Sequence, residues 1–99
     1  MKRRSRIYLA NEQEQLPIQV KRKIISAGHL AGTTPETLAE SSNLSSDLLF
    51  ETNEYALLCL KLQKLVFEKK PDAVLICSQV SACETVQDCI DLVESTIKS

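Results

Sequence analysis

A chain of 99 residues with only two glycines (Gly28, Gly32) and three prolines (Pro17, Pro35, Pro71) has few places to turn. A sheet of short strands needs a tight reversal roughly every 8–12 residues, and those reversals depend on Gly, Pro, Asn and Asp. The shortage therefore favours a few helices over many strands. The length fits one domain and leaves no room for two independent cores. An apolar share of 43% and a charged share of 25% argue against wholesale disorder. With no Trp and 4% aromatic residues, the core has to be built mostly from Leu, Ile, Val and Ala. No apolar run approaches the roughly 20 residues that span a bilayer, so no membrane span is expected. The charged N-terminus develops no apolar signal-peptide core either.

The apolar spacing divides the chain further. From Leu16, Pro17 suits a first helical turn, and Val20, Ile24, Ala27 and Ala31 follow at helical spacing, with Lys21, Arg22 and Lys23 expected to face away. Gly28 and Gly32 weaken the end of this helix, and Thr33-Thr34-Pro35 breaks it. A connection follows with isolated apolar anchors at Leu38 and Leu44. Asp47 or Thr52 can cap a second helix, which runs through Tyr55, Ala56, Leu58, Cys59, Leu60, Leu62 and Leu65 to about Phe67 and closes at Lys69-Lys70-Pro71. Residues 72–80 read either as a buried strand, whose one conceivable partner is Arg6–Ala10, or as a short helix or irregular packed segment, which is the expectation here. The last helix carries Val86, Cys89, Ile90, Val93 and Ile97 on one stripe, and Ser81 with Glu84 has capping-box spacing before it. The core expected from this pattern is Val20, Ile24, Leu38, Leu44, Ala56, Leu60, Val86, Ile90 and Val93.

Charge splits the chain in two. Residues 1–23 hold seven bases against Glu12 and Glu14, whereas residues 24–99 hold five bases against eleven acids. Between Glu36 and Glu54 there are five acids and no base. Residues 1–15 read as a basic polar arm and 16–99 as the helical domain. The arm is a solvated tail or a contact for nucleic acid or an acidic partner. Cys59, Cys77, Cys83 and Cys89 form no C-x-x-C pair, and His29 is the lone histidine, so metal ligation is not expected. Reading the four as free thiols points to a reducing, cytoplasmic setting. No nucleophile motif or glycine-rich phosphate loop is present, and catalysis is not expected.

Leu44-Ser45-Ser46-Asp47-Leu48-Leu49-Phe50-Glu51-Thr52-Asn53, the apolar positions Ala56, Leu58, Cys59, Leu60 and Leu62, and the closing Thr85-Val86-Gln87-Asp88-Cys89-Ile90-Asp91-Leu92-Val93 together resemble the acyl carrier proteins over about residues 18–97. The resemblance implies an all-α bundle of three main helices plus one short helix. It also implies an acidic second helix that docks on basic partner enzymes of fatty acid or polyketide biosynthesis. The family carries acyl chains on 4'-phosphopantetheine attached to a serine at the start of that helix. Here Thr52 stands in the serine's place, Leu49 in that of the preceding glycine, Glu51 in that of the aspartate and Asn53 in that of the following leucine. Threonine keeps the hydroxyl but adds a methyl on the attacking carbon and stiffens χ1. The expectation is a degenerate carrier without a cofactor, the alternative being 4'-phosphopantetheine on Thr52. Asp47, Glu51 and Glu54 are the residues expected to meet a basic-surfaced protein partner.

A second resemblance competes. Thr37-Leu38-Ala39-Glu40-Ser41-Ser42-Asn43-Leu44-Ser45 reads like the first helix and turn of a helix-turn-helix nucleic-acid binder. The helix after it would carry Asp47, Glu51 and Glu54 without one Lys or Arg, a face that phosphates repel.

Overall fold

The computed structural model describes residues 15–98, and the regular structure among them is helical: α1 (Leu16–Gly28), α2 (Thr52–Lys69), α3 (Cys77–Ser81) and α4 (Val86–Lys98). The fold is a small all-α bundle of three main helices plus one short one, as expected from the sequence. The basic arm expected over residues 1–15, and Arg6–Ala10 as a strand partner, lie outside the described residues apart from Gln15.

Helix α1 starts where Pro17 allows it to. The carbonyl of Gln15 accepts from the amides of Ile18 (3.0 Å) and Gln19 (3.1 Å), and proline's missing N–H falls in the turn that has no use for it. At the other end His29 takes a left-handed conformation (φ 52°), and the Leu30 amide donates back to the Ile25 carbonyl at 3.1 Å. Val20, Ile24 and Ala27 are buried, but Ala31 lies past the helix and is exposed. Lys21 corrects the sequence reading more sharply. It does not face away: it is only 7% exposed, and its ammonium donates to Glu40 at 3.0 Å and to the Pro35 carbonyl at 3.4 Å. The stem packs while the head finds oxygen, which periodicity alone does not reveal.

The connection 30–51 is turns rather than helix, yet it delivers Leu38, Leu44 and Phe50 to the core. It is stitched to the start of α4 by backbone bonds. The Leu44 amide donates to Glu84 (2.8 Å), Val86 to Ser42 (3.0 Å) and Gln87 to Glu40 (2.9 Å). Gly28 lets this loop in: a Cβ there would sit 2.6 Å from Phe50 Cε1.

Helix α2 begins at Thr52, not at Asp47. Glu51 is its N-cap residue, and its amide donates to the carboxylate of Glu54 at 2.9 Å. The buried set is Leu58, Cys59, Leu62, Leu65 and Val66, whereas the expected Ala56 and Leu60 are exposed, Leu60 by 63%. Two positions along a helix differ by about 200°. Once Leu58 and Leu62 point into the core, Leu60 has to point out.

Residues 71–76 are irregular and lead into α3, with Leu75 and Val80 buried. The packed-segment reading of 72–80 therefore stands over the strand reading. Helix α4 is capped one turn later than expected. Thr85 Oγ1 accepts from the Asp88 amide at 3.2 Å, and the Asp88 carboxylate accepts from the amides of Glu84 (3.0 Å) and Thr85 (3.2 Å). Ser81 instead ends α3. Val86, Cys89, Ile90 and Val93 are buried and Ile97 is half-buried.

Candidate functional site

The approach to α2 is built by a side-chain-closed turn. Asn43 Oδ1 accepts from the Ser45 and Ser46 amides and from the Ser45 hydroxyl, each at 3.0 Å. Asp47 closes the turn from the other side, its carboxylate accepting from the Asn43 amide at 2.7 Å. Asp47 therefore has a local structural task that its place in the acidic run does not reveal.

Two residues later the chain passes through Leu49 at φ 61°, with a side chain 74% exposed. This is the left-handed region, where glycine is free and a side chain costs about 1–2 kcal/mol. Phe50 then drops into the core, its ring edge-on to Tyr55 at 5.7 Å between centroids. Glu51 turns extended, and Thr52 opens the helix in full view of solvent.

Beside Thr52 lies an open apolar groove of about 500 Å³ between α2 and α3, lined among others by Tyr55, Ala56, Cys59, Leu60 and Cys77. Burial pushes the Tyr55 phenol above its ordinary range. A larger depression of about 730 Å³, bordered by Lys70, Asp72, Ile76 and Thr96, contains none of the expected site residues Asp47, Glu51, Thr52 and Glu54.

The cysteines depart most from expectation. Cys59 and Cys77 form a disulfide, with Cα atoms 5.4 Å apart, that ties the middle of α2 to the first residue of α3. The free-thiol argument for a reducing setting fails for this pair. Eighteen residues separate the two, and no local spacing marks them; only the packing of α3 brings them together. Cys83 and Cys89 remain free and buried. A hydrogen bond with Cys83, reinforced by burial, pushes the Cys89 thiol far above its ordinary range, so it stays neutral.

Glu51 is exposed and Glu54 half-exposed, one on each side of Thr52, so the structure does bring these three together. His29 is an exposed helix-end residue. Thr37–Ser45 contains no helix, which leaves the helix-turn-helix pattern without its first element. Among the described residues no group of three or more His, Cys, Asp or Glu could hold a metal ion, and no helix is long and apolar enough to cross a membrane.

No family model matches the chain, and no curated protein or solved structure matches it either.

Proposed function

We propose that this chain is an acyl-carrier-like docking module whose acidic helix start seats on a basic face of a partner enzyme, in the manner of fatty acid or polyketide carriers, but without a 4'-phosphopantetheine arm. The observation that carries the reading is the position of Thr52. It opens α2 beside an apolar groove, exposed, between Glu51 and Glu54. Leu49 supports it as well, because the backbone is left-handed where the family has glycine although the side chain here is leucine. Opposite charge on a partner steers encounter and sets orientation, and the contact weakens as salt screens it. The acids at 51 and 54 also complement the positive end of α2, and partner binding separates the two roles.

The attachment site is tested with coenzyme A and a broad-specificity phosphopantetheinyl transferase, read by intact mass. Wild type stays unmodified, because the threonine methyl obstructs an in-line attack shaped for serine. Thr52→Ser is modified in part, and Thr52→Ser with Asn53→Leu further. Modified wild type would show a working carrier on threonine, and an inert double variant removes the carrier likeness at this site. Docking is tested separately on a carrier-dependent enzyme with a basic entrance. Reversing Glu51 and Glu54 to Lys should weaken association at low salt, and unchanged binding sinks the docking surface.

A further inference from the structure

We infer that the Cys59–Cys77 bridge is a thiol-exchange site, opened from its Cys77 side by small thiols of the glutathione type, and that opening it frees α3 from α2. The inference stands apart from the carrier reading, since neither Thr52 nor the acids take part.

The two ends of the bridge differ. Both border the open groove, but Cys59 is 2% exposed on α2 whereas Cys77 is exposed. An incoming thiolate needs a line of approach to one sulfur along the bond it breaks, and exposed Cys77 is the more accessible of the two. The side-chain amide of Gln63 donates to Cys77 Sγ at 3.6 Å, a contact that favours this sulfur as the leaving group when a second thiol resolves the mixed disulfide. The free thiols Cys83 and Cys89 are buried, which keeps them from the same reagent.

Little else fastens α3. The helix has five residues, and Asp72, Val74, Ile76, Ser78 and Gln79 around its start are exposed. Leu75 and Val80 are its buried anchors, and Gln63 adds a hydrogen bond to the Leu75 carbonyl at 3.0 Å. A five-residue helix does not hold itself together in water. The bridge therefore decides whether this segment stays against α2 as one wall of the groove.

The chemistry balances with two equivalents of thiol. The first thiolate attacks Cys77 Sγ, the bond to Cys59 Sγ breaks, and the electron pair leaves on Cys59. Burial makes Cys59 take up the proton lost by the incoming thiol. The second thiolate attacks the outer sulfur of the mixed disulfide, which releases the small disulfide and leaves Cys77 reduced and protonated by solvent. The bridge has gained two electrons, and two small thiols have been oxidised to one disulfide. An excess of the small disulfide runs the steps backwards.

The test uses the full chain with glutathione as the probe. Protein equilibrated with oxidised glutathione should carry the Cys59–Cys77 bond by non-reducing peptide mapping. A graded addition of reduced glutathione should then give a mixed disulfide on Cys77 with Cys59 free. Full reduction with dithiothreitol should speed amide exchange at Val80 and Ala82 on the order of a hundredfold, the size expected for losing such a cross-link. Exchange at Val93 in α4 should change far less. Cys77→Ser should reproduce the fast exchange without reductant. Four free thiols after the oxidising step, an adduct on Cys59, Cys83 or Cys89, or exchange at Val80 that ignores dithiothreitol each overturn the proposal. The wild-type measurement stands even if the variant does not fold.

Discussion

Into the common core α2 sends Leu58, Leu62 and Leu65, all buried, while along the groove it shares with α3 it leaves Ala56 and Leu60 in solvent. The residue types are much the same on both sides of the helix, so the difference lies in what they meet. The core is closed by α1 and α4, each of 13 residues with three or more fully buried apolar side chains. The far side has only α3, five residues with Val80 as its buried member. Apolar burial stabilises by roughly 25 cal/mol per Å², and a five-residue helix has too little area to cover an 18-residue neighbour. On that side a disulfide and the Gln63 side-chain amide add to the packing of Leu75 and Val80.

The contrast is broken most severely from the core side. Ile90→Ala should cost about 2–5 kcal/mol, since the side chain is buried and the surrounding helices relax only partly. Denaturant midpoints measure it, and a loss well under 1 kcal/mol would mean that the core is looser than its burial implies. Next in size, replacing both Cys59 and Cys77 by Ala should cost about 3 kcal/mol, from the loop of 18 residues the bridge closes. Oxidised wild type and double variant with equal midpoints would leave α3 secured by packing after all.

Leu49→Gly should work in the opposite direction, with a gain of about 1 kcal/mol. It removes a side chain from a positive φ and gives up little packing, because Leu49 is exposed. A destabilised variant would show that the exposed leucine has contacts of its own.

The Lys21–Glu40 pair gives a smaller effect, present at neutral pH and lost in acid. The side-chain hydrogen bond from Lys21 lowers the Glu40 carboxyl below the ordinary carboxylate value near 4.5. A carboxyl depressed in the folded state contributes stability above its unfolded value, and loses it as pH falls through the lower folded value. Wild type should therefore shed stability between those two points, whereas Glu40→Gln should be less stable than wild type at neutral pH, converge with it in acid, and flatten that part of the curve. Thermal melts between neutral pH and acid decide it. A parallel acid loss in Glu40→Gln assigns the effect to other carboxylates.

The smallest effect belongs to the groove side. Leu60→Ser should stay within about 0.5 kcal/mol of wild type, while Leu58→Ser two residues away unfolds much of the population. Similar costs at both sites would erase the distinction between the two faces.

Several features were legible before any tertiary contact was known. The all-α class, the start of α1 at Leu16, the end of α2 near Lys69, the α4 stripe and the reading of 72–80 as a packed segment follow from Pro and Gly placement and the 3.6-residue period, whereas α1 ends about a turn before the expected break. So does the clustering of Thr52, Glu51 and Glu54, because neighbours at a helix start stay neighbours in space. What stayed hidden depended on residues far apart in the chain. Leu60 and Leu58 are both leucines in one apolar run, and only the positions of α1 and α4 decide which turns inward. Lys21 sits in a basic triplet that reads as a solvated face, and only the loop carrying Pro35 and Glu40 turns it into a buried partner. Cys59 and Cys77 pair because α3 folds back onto α2. Local sequence sets the period and the ends of helices through forces that act within a turn or two. The rotation of each helix about its axis, and the meeting of distant side chains, are set by the burial the whole chain achieves at once.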